Sequence, residues 1–407
     1  MTRWRFPDPS EDVERDATLE KIESWWRAFA GRADELDAYF ESRKHDERQQ
    51  AHLVEFMEEH LLAIDDGLCW EFGPALHKEG HRLVITPEWR HELRPLIDVL
   101  LRRAPELPRW EFYPYRVPED VPAMLRTVQA RSEVDFSGSQ ARILTGEDSR
   151  LNLEFHCPAC TDPEDEQTDQ AGLIAAATLL GEDIVATWIG PIETVPLQPS
   201  KDRNADSGLI PLERLKEIVD ARIASALDRL RDQPWYLVDR EGPHAPRWTR
   251  FELEPQDLED YPEREDLLVA VTPFKDFWRE AHGSWNFSSR RHSRFQENFC
   301  YLKIDNLLGL GDRFPDRGSI EDAVDAALRP AEVGGSIGGG TGSRYLYVDL
   351  ALTDVDAAIP ILKRVLRSAD FPKRTWLLFF DGDYAGEWVG LWDDTPPPPA
   401  PPEEPES

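Results

Sequence analysis

The apolar residues change their spacing along the chain, and that change limits the fold more than any single motif. From about Ala17 to Ile64 they recur at helical intervals. Leu19, Ile22, Trp25, Trp26 and Phe29 share one face, Leu36, Tyr39 and Phe40 follow Gly31, and Leu53, Val54, Met57, Leu61 and Leu62 form a third stripe. The spacing predicts two or three helices with breaks near Gly31 and Lys44–Glu47.

After Ile64 the pattern shortens. Leu68–Phe72 and Arg82–Thr86 read as strands, Glu88–Arg103 as an amphipathic helix and Trp110–Arg116 as an extended aromatic segment. Pro122–Arg131 reads as a helix, Glu133–Leu144 and Arg150–His156 as a strand pair, and Asp169–Leu180 as a helix before the apolar stretch Ile184–Val195. The second half opens with a helix at Leu212–Arg231. Strands are predicted at Trp235–Val238, Trp248–Leu253, Leu267–Val271 and Phe299–Asp305, with a loop-rich stretch from Pro273 to Glu297. A helix at Ile320–Leu328 precedes strand, helix and strand at Tyr345–Leu352, Asp356–Ser368 and Thr375–Phe380, and Glu387–Trp392 reads as the last strand.

Irregular alternation of this kind predicts an α+β fold: an N-terminal helical segment plus mixed sheet, followed by a second α+β domain. A chain of 407 residues supports two such units. The boundaries expected are an extension over 1–16, a domain over 17–197, a polar linker over 198–210, a domain over 211–394, and a disordered Pro- and Glu-rich tail over 395–407. Leu93–Trp110 and Ala358–Trp376 echo one another through Pro95/Pro360, Leu101/Leu366, Arg102/Arg367 and Trp110/Trp376, the signature expected of a duplicated unit.

The first half reaches a resemblance on Trp25, Trp26 and Phe29, on Asp66–Pro74, on Leu107–Phe112, and on Ala175–Pro196 with Gly181, Glu182, Asp183, Ile192 and Glu193. Over roughly the first 200 residues it resembles a widespread set of uncharacterised bacterial proteins. The resemblance implies no known activity and supplies no catalytic residues. Some relatives of this general size and acidity look like the immunity proteins that neutralise bacterial toxins.

Charge sets the classes of partner. A formal net charge of -32 repels nucleic acid and anionic membrane surfaces and favours a basic protein. No apolar run reaches the roughly 18–20 residues needed to span a bilayer, and Met1–Pro9 holds no apolar signal core, so a cytoplasmic location is expected.

Four short segments offer chemistry. Cys157-Pro-Ala-Cys160 has the spacing of a thiol pair or half a zinc site, but it runs into the acidic stretch Thr161–Asp165, which raises thiolate pKa values. Gly338–Ser343 resembles the phosphate loop of tubulin-like GTPases but leads into a strand instead of a helix. Asp381–Glu387 carries carboxylates after a strand, yet Asp381-Gly382 between apolar strands matches a hairpin turn better than a calcium loop. Arg290, Arg291, His292 and Arg294 form a basic island between Trp285, Phe287 and Phe295; arginine forks beside hydroxyls suit phosphate or carboxylate, and internal salt bridges are the competing use.

No nucleophile elbow, metalloprotease helix or paired catalytic carboxylates can be identified. The leading expectation is therefore a non-enzymatic, immunity-like binding module that neutralises a basic partner and needs no cofactor, with tryptophans as binding anchors. Two alternatives stand beside it: an enzyme with a site assembled around Arg290, Arg291 and His292, and a thiol or zinc role at Cys157 and Cys160.

Overall fold

A computed structural model describes the chain apart from residues 1, 43–46, 147–148, 163–164, 198–207, 239–244, 256–257, 284–285, 311, 369–370 and 401–407. The fold is α+β, with mixed and antiparallel sheets. It separates into two units, Met1–Ala226 and Leu227–Ser407.

The first unit opens with helices α1 (Asp12–Glu41) and α2 (Glu47–His60), followed by β1 (Cys69–Pro74), β2 (His81–Thr86), α3 (Arg94–Arg102) and β3 (Trp110–Tyr113). β1 pairs antiparallel and β3 parallel to β2, so α3 is the crossover between parallel neighbours. α4 (Val121–Ser132), β4 (Gln140–Thr145), β5 (Leu151–Cys157), α5 (Glu166–Leu180), α6 (Glu182–Trp188), β6 (Ile189–Pro196), β7 (Ile210–Pro211) and α7 (Leu215–Asp228) complete it. Its second sheet has the order β6-β5-β4-β7.

α1 runs unbroken through Gly31, where two helices were expected. Its buried residues Ile22, Trp25, Trp26, Phe29, Ala33 and Leu36 keep one stripe across the glycine, and the burial of that stripe outweighs a mid-helix glycine cost of about 1 kcal/mol. Trp26 donates its indole N–H to the Leu100 carbonyl and Trp110 donates to that of Ala33, so these tryptophans are core residues with satisfied polar ends. The 1–16 segment is not a free extension, because buried Arg3 bonds Glu11 through its backbone N–H and its Nε.

The unit boundary falls after Ala226 and not within 198–210. β7 pairs with β4, and Arg222 on α7 donates to the Ile143 carbonyl, which ties the chain beyond the polar stretch to the first unit. Residues 198–207 lie outside the described residues.

The second unit holds β8 (Thr249–Glu252), β9 (Leu267–Thr272), α8 (Lys275–Gly283), β10 (Asn298–Asp305), α9 (Arg317–Leu328), β11 (Gly334–Gly342), β12 (Tyr345–Leu352), α10 (Val355–Leu366), β13 (Thr375–Phe379) and β14 (Trp388–Gly390). The strands form one antiparallel sheet in the order β14-β13-β10-β12-β11-β9-β8. The Trp235–Val238 segment, expected as a strand, is a short 3-10 turn, because the Trp235 N–H is taken by the Glu297 side chain instead of a ladder partner.

The first residues of the expected tail are bonded, and residues 401–407 lie outside the described residues. Thr395 bonds the Trp392 N–H through its hydroxyl, and the Pro396 carbonyl accepts from the Trp376 indole, which holds the first residues after 394 in place. The two echo segments adopt the same local unit, helix then strand, as α3–β3 and α10–β13, but in sheets of different order.

Candidate functional site

Register places Tyr301, Lys303, Tyr347 and Asp349 on one face of the seven-stranded sheet. Tyr301 pairs with Asp349 and Lys303 with Tyr347 across β10 and β12, and directly opposed residues point to the same side. The other face carries Leu302 and Leu377, which lie against Leu362 and Leu366 of α10. The polar face is covered by the 260–266 segment, which enters β9 through a tight turn: the Glu265 N–H donates to the Pro262 carbonyl and that of Leu267 to the Arg264 carbonyl.

Side chains pin this segment at several points. Asp266 accepts from the backbone N–H groups of Arg344 and Tyr345, both at 2.8 Å, and from the Tyr347 hydroxyl. Asp260 accepts from the Tyr345 hydroxyl at 2.7 Å and from Arg374 at 2.5 Å. Lys303 donates to the Tyr261 carbonyl, and its ammonium lies 4.3 Å from the Tyr345 ring centre. Burial pulls the Lys303 amine down to about 8, and the nearby Asp266 and Asp260 charges oppose that pull.

Gly338–Gly342 does not form a phosphate loop. It lies in β11, between β12 and β9. Its glycines make room for the covering segment: a Cβ at Gly340 would lie 2.4 Å from a Leu267 methyl, and one at Gly342 would lie 2.1 Å from an Asp266 oxygen.

Arg264 projects inward from the covering turn. Its Nη1 donates to Asp349 Oδ1 at 2.8 Å, and both side chains are buried, 5% and 1% exposed. Its guanidinium carbon lies 5.1 to 5.4 Å from the ring centres of Tyr347, Tyr301 and Phe380. Nε and Nη2 of Arg264 and Oδ2 of Asp349 are buried without a hydrogen-bond partner. Burial pushes the Asp349 carboxyl above its usual range, while Arg264 and Arg317 pull the other way.

The basic island lies elsewhere in this unit. Arg291 is buried and donates from Nε to Glu280 at 2.5 Å and from Nη2 to the Asn286 carbonyl at 2.9 Å. His292 Nε2 lies 3.0 Å from the other Glu280 oxygen. Burial alone would raise the Glu280 carboxyl, but the adjacent His292 and Arg291 hold it down at about 2. Arg294 donates to the Arg231 and Leu230 carbonyls, and Arg290 is exposed and also bonded. Trp285 lies outside the described residues. Asp381 accepts from the Ser289 N–H at 2.7 Å, so the Asp381–Glu387 turn clasps the island's loop. The structure thus brings Arg291 and His292 together on one carboxylate and sends Arg294 to backbone.

Cys157 and Cys160 are buried free thiols. Cys157 Sγ faces the Asp135 carbonyl at 3.7 Å, and Cys160 Sγ faces those of Asp162 at 3.5 Å and Thr194 at 3.8 Å. Burial, then Cys157 and Asp165, raise the Cys160 thiol. Among the described residues no group of three His, Cys, Asp or Glu side chains is placed to hold a metal.

One surface element stands apart. The turn after β10 exposes Leu307 and Leu308, 70% and 97% accessible. It is ordered by hydrogen bonds from the Leu307 N–H to Asp305 and from the Gly309 N–H to the Asn306 carbonyl. Seven of the fourteen tryptophans expected as anchors are in the interior: Trp25, Trp26, Trp110, Trp188, Trp235, Trp278 and Trp376.

Composition did not reveal these features, though Asp349 inside the apolar run Tyr345–Leu352 and the adjacent leucines at 307 and 308 were visible flags. No family model matches the chain, and neither a curated protein nor a solved structure does. Among the described residues no single helix is long and apolar enough to cross a membrane.

Proposed function

We propose that this chain is a non-catalytic protein-binding module for a basic partner, in the manner of an immunity protein. The observation that carries the reading is the Leu307–Leu308 turn. Two neighbouring leucines presented to solvent on a hydrogen-bonded turn have no role in the core, and exposed apolar groups on an otherwise charged surface mark sites of contact. The charge of -32 supplies the long-range half of recognition, since an acidic field speeds encounter with a basic surface and rejects acidic competitors. Arg291 and His292 are engaged by Glu280, and the glycine run is a sheet strand.

Affinity capture from the native host tests this. The intact chain should recover a basic protein near one-to-one, released by raised salt, and Leu308→Asp should recover none of it. Equal recovery by Leu308→Asp, or recovery of the chain alone, would contradict the proposal. Because Leu308 is almost wholly exposed, the substitution should change stability by no more than about 0.5 kcal/mol.

A further inference from the structure

We propose that residues 260–264 form a lid that opens without unfolding the sheet and uncovers the Lys303 amine. The face beneath the lid carries Lys303, Tyr301, Tyr345, Tyr347 and Asp349, all buried, and buried polar groups destabilise a fold unless they are fully paired. The pairing here is incomplete. One hydrogen bond joins Arg264 to Asp349, while Nε and Nη2 of Arg264 and Oδ2 of Asp349 have no partner. Lys303 donates to the Tyr261 carbonyl, which belongs to the lid itself. Burial pulls its amine down to about 8, as expected of a charge held away from water. Lifting the lid returns all of these atoms to water at once.

The backbone of the lid is strained. Glu263 has a φ of +39°, in the left-handed region that residues other than glycine enter only at a cost. Its outer contacts are weak. Asp260 meets Arg344, Arg374 and the Tyr345 hydroxyl on a partly exposed rim, where ion pairs contribute little. The Tyr347 hydroxyl reaches the Glu263 carbonyl only at 3.4 Å. The root of the lid is firmer. Asp266 accepts from the N–H groups of Arg344 and Tyr345 and from Tyr347, which fixes the start of β9 while the segment before it moves. Glu263 and Glu265 are exposed, which places solvent on the lid's outer side.

The test uses β10 itself and requires no protein partner. Lys303 and Cys300 are both buried, and their positions put them on opposite faces of this strand. The intact chain is pulse-labelled with N-hydroxysuccinimidyl acetate for amines and N-ethylmaleimide for thiols, and the two residues are followed by mass spectrometry. Measured against the urea-unfolded chain, Lys303 should be at least about tenfold less protected than Cys300. Its labelling should also be insensitive to low urea, because local opening exposes little surface, whereas that of Cys300 should rise with urea. Asp260→Asn, which loosens the rim, should speed Lys303 labelling about fivefold and leave Cys300 unchanged. Equal protection of the two residues, a common dependence on urea, or no response of Lys303 to Asp260→Asn would overturn the lid. The first two comparisons use the unaltered protein, so they decide the matter even where Asp260→Asn fails to fold.

Discussion

Two buried arginine–carboxylate pairs stand among the described residues of the second unit, and they are built differently. Around Glu280 both oxygens face a nitrogen: Arg291 donates to one oxygen and to a backbone carbonyl, and His292 Nε2 lies 3.0 Å from the other oxygen but out of line for a hydrogen bond. Around Asp349 a single contact joins Arg264 to one oxygen, leaving two donor atoms and one acceptor unmet. An ion cluster with most of its bonds made fixes the geometry of the segments it joins; one with a single bond leaves desolvated polar atoms that cost stability. The basic island that drew attention in the sequence is of the first kind. The lone arginine in the acidic 259–266 stretch is of the second.

The largest effect expected from this contrast is on stability. Glu280→Ala strands the buried Arg291 guanidinium and takes the carboxylate from His292, and should cost about 3–5 kcal/mol in chemical unfolding. A loss under 1 kcal/mol would place Glu280 outside the structural core of the unit. Next comes pH. The Glu280 carboxyl, normally near 4.5, titrates at about 2 when folded, so its contribution is complete above pH 4.5 and drains away as pH falls toward 2. The amount is on the order of 3 kcal/mol, and Glu280→Gln should flatten that limb of the stability profile. Asp349 has the opposite sign. Its folded pKa lies above the usual 3.8, so its contribution is present below pH 3.8 and is lost as pH rises through the folded value. Asp349→Asn should remove that slope and leave the acid limb from Glu280 untouched; the reverse pattern would exchange the roles of the two sites.

A smaller effect is expected when both members of the half-matched pair are replaced. Arg264→Leu combined with Asp349→Val removes three unmet polar atoms together with one hydrogen bond. Stability should then change by no more than about 1 kcal/mol or rise. A loss of several kcal/mol would show that the pair is structural. The smallest change belongs to Leu308→Asp, which is silent in unfolding and decisive only in partner capture.

The α+β class and most elements were legible because period and turn chemistry are local properties. β10, β12 and α10 lie close to where their apolar spacing puts them. Three features were not legible, each because a distant group decided it. Gly31 looked like a break until the packing of Trp25, Trp26 and Phe29 carried α1 through it. Trp235 looked like a strand until Glu297, far along the chain, took its N–H. The glycine run looked like a loop because its purpose, room for Leu267 and Asp266, belongs to another segment. The same holds for the site. Adjacent cations at 290–294 are conspicuous in a sequence, whereas the pairing of Arg264 with Asp349 exists only after β9 and β12 enter one sheet.

The most direct test is a side-by-side unfolding measurement of Arg291→Leu and Arg264→Leu at neutral pH. Arg291→Leu leaves Glu280 short of its arginine, and its loss should be the larger by at least about 2 kcal/mol. Equal losses, or a larger loss at Arg264, would contradict the division between a structural arginine and an open one.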